Sequence, residues 1–160
     1  PMAPTRSGAL PAVDLMDLCY SGKWTRDEMY KRITKSGGFV DHLGTSDAIE
    51  VNEMIAKGDK YAKLIYDAFQ YQIAKEIGAM AVVLKGKVDA IVLTGGISHD
   101  KGLVANLTEQ VGWIAPIEVR AGEFEMEALA AGGCRVLAGE EQAKVYTGEK
   151  VFTNFDYLKQ

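Results

Sequence analysis

A chain of 160 residues, 48% of them hydrophobic, is long enough and apolar enough to bury the core of one globular domain. Its formal net charge of −4, with no basic run, argues against nucleic acid as a partner. No stretch reaches the length of a membrane helix and no signal-like apolar segment stands near the start, so the expected setting is cytoplasmic, with no membrane partner. Cys19 and Cys134 are far apart and lack metal-ligand spacing, and only two histidines, His42 and His99, are present. Reduced, buried cysteines are expected, and the histidines read as surface residues.

In chain order, residues 1–8 are rich in Pro and Gly and read as an irregular loop with one charge, Arg6. The opening Pro1-Met2-Ala3-Pro4 reads as the interior of a longer polypeptide. Pro11 suits the first turn of a helix to about residue 20, ended by Ser21-Gly22. Thr25 with Glu28 three residues on has the form of a capping box and opens a helix to about 35, which Gly37-Gly38 stops. Residues 39–44 are too short and mixed to assign. Thr45-Ser46-Asp47 caps a further helix to about 57.

The strongest helical pattern spans 60–84, where Ile65, Phe69, Ile73 and Ile77 recur every fourth residue, with Leu64, Ala68, Met80 and Ala81 widening the stripe. Its aromatics Tyr61, Tyr66, Phe69 and Tyr71 read as core rather than as a stacking platform. Residues 88–93 are almost wholly apolar and predict a strand buried on both faces. Gly95-Gly96 follows at once, and a helix is predicted over 101–112. Strand, glycine turn and helix start together can cradle an anion or nucleotide. A plain strand-to-helix turn fits Gly-Gly equally well. A second parallel strand is predicted over 114–120, a helix over 124–138, a short helix over 140–146, and a tail from 147 with one short strand at 150–152. Two parallel strands make a poor core, so further strands are expected before Pro1.

Four motifs in order carry a resemblance: Thr5-Arg6-Ser7-Gly8, Leu43-Gly44-Thr45-Ser46-Asp47, Leu93-Thr94-Gly95-Gly96-Ile97-Ser98 and Ala121-Gly122-Glu123-Phe124-Glu125. Over residues 4–146 the chain resembles the C-terminal part of the butyrate kinases, in the acetate kinase branch of the actin-like ATPases. The resemblance implies an α/β fold, the helix-rich C-terminal part of a ribonuclease H-like domain, with residues 1–146 as a nucleotide-binding portion and 147–160 as a tail. It implies ATP-dependent phosphoryl transfer to the carboxylate of butyrate. Related acetate, propionate and branched-chain acid kinases, and a non-catalytic nucleotide-binding module, are the alternatives.

By position, the resemblance gives Arg6 the role of steadying the transferred phosphoryl group, which suits a guanidinium fork. It gives Gly95, Gly96, Ile97 and Ser98 contact with the adenosine of ATP or ADP, and Asp47 a place beside the nucleoside, alongside its plainer role as a helix cap. Relatives usually carry an arginine two positions later, where this chain has Ile49. Either Glu123 or Glu125 matches a glutamate associated with Mg2+; the bland reading is acids complementing a helix start. The catalytic aspartate, the phosphate loops and the carboxylate pocket are expected in a missing N-terminal half. The piece alone is therefore expected to be inactive, and the whole to form a dimer or higher homo-oligomer.

Overall fold

A computed structural model describes residues 1–148, which divide into two compact units, Pro1–Gly122 and a second unit beginning at Glu123. The strand expected at 150–152 lies outside the described residues. In the first unit the order is α1 (Ala12–Tyr20), α2 (Arg26–Thr34), α3 (Phe39–Leu43), α4 (Ala48–Ala56), α5 (Lys60–Val83), β1 (Ile91–Gly95), α6 (Lys101–Val111) and β2 (Ile117–Ala121). A turn of 3-10 helix, Gly96–His99, separates β1 from α6. The second unit holds α7 (Glu125–Leu137).

Side-chain caps fix most helix starts. The capping box of α2 is reciprocal: Glu28 N–H donates to Thr25 Oγ1 at 3.3 Å, and Thr25 N–H donates to Glu28 Oε2 at 2.7 Å. Asp47 Oδ1 accepts from Ile49 N–H at 2.8 Å to open α4. Asp59 Oδ1 accepts from the N–H groups of Tyr61 and Ala62 to open α5. The mixed stretch at 39–44 proves to be α3, and its Phe39 is fully buried.

Around Phe39 the core assembles. Its ring lies 5.0 Å from that of Phe69 and 5.9 Å from that of Tyr66. Val51 of α4, Leu103, Leu107 and Val111 of α6 and Ile91 of β1 complete the cluster. Long helix α5 is its spine, as the fourfold spacing predicts, with Ile65, Tyr66, Phe69 and Ala74 buried. The apolar stripe is narrower than predicted, because Leu64 and Met80 are exposed, as are Tyr61 and Tyr71.

Strands β1 and β2 are parallel, with Ile91 opposite Ile117 and Gly95 opposite Ala121. The first strand starts three residues later than the apolar run suggested. Pro116 explains the start of the ladder: it has no N–H to give, but its carbonyl accepts from Ile91 N–H at 2.9 Å. The strand is not buried on both faces, since Val92 and Thr94 point outward and Val92 is 58% exposed. Residues 140–146 form no helix. Both cysteines are free, but exposed rather than buried. Among the described residues no helix is long and apolar enough to cross a membrane.

Candidate nucleotide site

Arg6 stands on a tight turn that the rest of the first unit grips by its backbone. Ala3 and Arg6 face each other across Pro4-Thr5, with Ala3 N–H donating to Arg6 O at 3.0 Å and Arg6 N–H to Ala3 O at 3.3 Å. Ser7 N–H donates to Ile33 O, Gly37 N–H to Thr5 O and Val40 N–H to Pro4 O, at 3.1 Å each. The approach is close enough to demand glycine. Gly38 has φ +60°, and a Cβ there would lie 1.8 Å from Ala3 O; one on Gly37 would lie 2.6 Å from Ser7 N. The pair that ends α2 in the sequence therefore also seats the arginine turn. The Arg6 side chain itself is exposed and belongs to none of the ion pairs among the described residues.

A cleft of about 580 Å3 opens where the first turns of α4 meet the turn after β1, with Ala48, Ile49 and Asn52 on one wall and Gly96, Ile97 and His99 on the other. The residues just after the 43–47 motif thus meet Gly96 and Ile97 of the 93–98 motif, nearly fifty residues on, whereas Asp47, Gly95 and Ser98 do not line the cleft. Gly95 has φ +82° and ψ 173°, which permits the sharp exit from β1, and it pairs with Gly122 through two 3.2 Å hydrogen bonds. A Cβ on Gly95 or Gly96 would meet nothing within 4 Å, so the backbone here faces open space. Ser98 is turned inward: it is buried, and its hydroxyl donates to Thr94 O at 2.7 Å. Asp47 is exposed at the α4 start, with one carboxylate oxygen engaged as the cap. Arg6 does not line this cleft.

The expected anion cradle at the start of α6 is already filled. Asp100 Oδ1 accepts from Gly102 N–H at 2.8 Å and from Leu103 N–H at 3.2 Å, so a carboxylate of the chain itself sits where a phosphate would. Its other oxygen, Oδ2, accepts from Tyr66 Oη at 2.5 Å and from Asn52 Nδ2 at 2.9 Å. Partial burial opposes ionisation of Asp100, but these four donors outweigh it and hold the carboxyl below its ordinary range. Tyr66 is pushed above the ordinary tyrosine range, first by burial and then by the hydrogen bond that its proton makes to Asp100.

A folded-state pKa raised in this way stabilises the fold below the unfolded value of about 10, and that contribution is lost as pH climbs, since the unfolded chain releases a proton that the folded chain keeps. Absorbance titration of tyrosinate is therefore expected to show a late alkaline step that Tyr66→Phe abolishes. The variant should also flatten the fall of stability above about pH 10.

Glu123 and Glu125 are exposed at the start of the second unit; Glu125 is the first residue of α7, whose N-cap Phe124 supplies no side-chain cap. Among the described residues no three His, Cys, Asp or Glu cluster as a metal cage. The residues that sequence reading missed are Asn52, Tyr66 and Asp100. Asp100 carried a signal, an Asp immediately before a helical pattern; its link to Tyr66, 34 residues away, carried none.

The sequence profile described as the acetokinase family matches residues 2–147. The chain is 53% identical over 146 residues to a protein described as probable butyrate kinase 2 of Caldanaerobacter subterraneus subsp. tengcongensis, covering 91% of this chain and 41% of that one. Among solved structures, acetate kinase of Porphyromonas gingivalis superposes with a TM-score of 0.76 at 21% identity, covering 85% of this chain and 40% of that one. Propionate kinase of Francisella tularensis subsp. tularensis SCHU S4 gives 0.66 at 25% identity, over 75% and 37%. The chain thus spans about two fifths of the length of the proteins it matches.

Proposed function

Because the chain belongs to the acetokinase family, we propose that it is the nucleotide-binding C-terminal portion of a cytoplasmic butyrate kinase. A carboxylate oxygen of butyrate attacks the γ-phosphorus of ATP, the bond to the β–γ bridging oxygen breaks, and ADP leaves. The observation that carries this reading is the meeting of the first turns of α4 with the bare glycine turn, which makes an open cleft from two segments far apart in sequence. Butyrate as acceptor rests on the 53% identity to the probable butyrate kinase.

In this reading the adenosine lies between Ala48 and Ile49 on one side and the Gly95–Ile97 backbone on the other. The free carboxylate oxygen of Asp47 accepts from a ribose hydroxyl while its partner oxygen keeps the helix capped. Ile49 offers the base an apolar wall where relatives offer a guanidinium. Asp100 fills the α6 N-terminus with negative charge, so that end of the cleft takes the nucleoside rather than the phosphates. Arg6 neutralises charge on the transferring phosphoryl group. Mg2+, when bound, offsets charge on the phosphate oxygens, and a carboxylate at Glu123 or Glu125 gives it one hard oxygen ligand. The catalytic aspartate and acceptor pocket belong to the remainder of the enzyme, a homo-oligomer, so this portion alone is inactive.

Calorimetric titration of Mg-ADP into the chain, with Mg-GDP alongside, is expected to give saturable heat that favours ADP. Equal heats for both, or none for either, would remove the cleft as a self-sufficient adenosine site. With the full-length kinase, hydroxamate formation is expected to be fastest with four-carbon acids; equal rates with acetate and propionate would overturn butyrate.

A further inference from the structure

One residue ties four parts of the first unit together, three through its carboxylate and the fourth through its backbone. Asp100 Oδ2 receives Asn52 of α4 and Tyr66 of α5, and Oδ1 receives the first turn of α6. The Asp100 backbone N–H donates to Ile97 O at 3.1 Å and so closes the 3-10 turn. Asn52 and Asp100 both line the cleft, Asn52 from the α4 wall and Asp100 from the foot of the turn. A helix cap needs only one of these oxygens. The second accepts from one donor on α4 and one on α5, and hydrogen bonds to a charge fix distance far more sharply than apolar contacts do.

We propose that Asp100 is a positioning residue: by holding Asn52 and Tyr66 to the exit of the Gly95–Ser98 turn, it sets the spacing of the two cleft walls before any ligand arrives. This deepens the proposed nucleotide role and rests on it for its consequence, though the positioning itself is a property of the free chain. Two substitutions separate positioning from capping. Asp100→Asn keeps a cap, because Asn is as good at that place as Asp. It also sets an amide N–H2 against that of Asn52 and removes the charge. Tyr66→Phe removes one donor with almost no change of volume and leaves the cap untouched.

Hydrogen exchange at individual amides reads the positioning directly. In both variants the amides of 96–99 are expected to exchange about tenfold faster, the order of one hydrogen bond to a charged group. The amides of Gly102 and Leu103 should stay protected. Mg-ADP affinity, measured on the same proteins, should fall by a similar factor. Unchanged exchange at 96–99 in both variants would overturn the proposal and leave Asp100 a helix cap, whatever the nucleotide does. Faster exchange in a chain whose unsubstituted form binds no Mg-ADP would uphold the positioning and remove the nucleotide reading instead.

Discussion

Gly38→Ala is expected to cost more than about 3 kcal/mol of folding stability and to release the Arg6 turn. The added Cβ would fall 1.8 Å from Ala3 O and 2.8 Å from Arg6 O, and both are backbone atoms with no rotamer to swing aside. The φ of +60° adds the strain that any L side chain meets in this region. The next residue is Phe39, fully buried against Tyr66 and Phe69, so a shift of the backbone here reaches the core. Gly44→Ala supplies the control. Gly44 has φ +76° but open space where a Cβ would stand, so it pays the conformational strain alone, about 1 kcal/mol. Urea unfolding of the two variants separates close approach from strain, and equal losses would refute the seating role given to Gly37-Gly38.

The sequence carried what is local and lost what is contact between distant segments. The Thr25–Glu28 box and the Asp47 cap were legible because an N-cap is a side chain acting within three residues. The spine role of α5 was legible because a period of 3.6 is a property of one segment. The bounds of β1 were not. An apolar run shows that residues avoid water, whereas the ladder starts where a partner offers hydrogen bonds, here at Pro116 O and Ile117. The run also gave no means of telling two covered faces from one, and Val92 faces outward. The same limit explains the site. Gly95-Gly96 announced a turn, and Asp47 a cap, but that Ala48 and Ile49 just after the cap face Gly96 and Ile97 across one cleft depends on how α4 and α6 each pack on α5. Gly37-Gly38 read as a helix stop because the Ala3–Arg6 turn that presses on them lies some thirty residues earlier.

Arg6→Ala, made in the full-length kinase, is expected to lower kcat by about 1000-fold or more with little change in the KM for ATP, the signature of a contact made in the transition state and not in the ground state. The structure makes this a clean substitution. The arginine turn is held by backbone hydrogen bonds from Ala3, Ser7, Gly37 and Val40, none of which uses the guanidinium. Its side chain is exposed, so truncation removes neither a buried contact nor an ion pair among the described residues, and melting temperature should hardly move. Arg6→Lys sharpens the test. Lysine restores the charge but not the planar fork, so recovery of only a small part of the lost turnover identifies directed hydrogen bonding to phosphoryl oxygens. Full recovery would mean that charge alone matters at this position. An Arg6→Ala enzyme with unaltered turnover would return Arg6 to the plain reading of a lone arginine in a Pro- and Gly-rich loop, a solvated surface charge. The grip of Gly37 and Gly38 would then serve the fold and not the reaction.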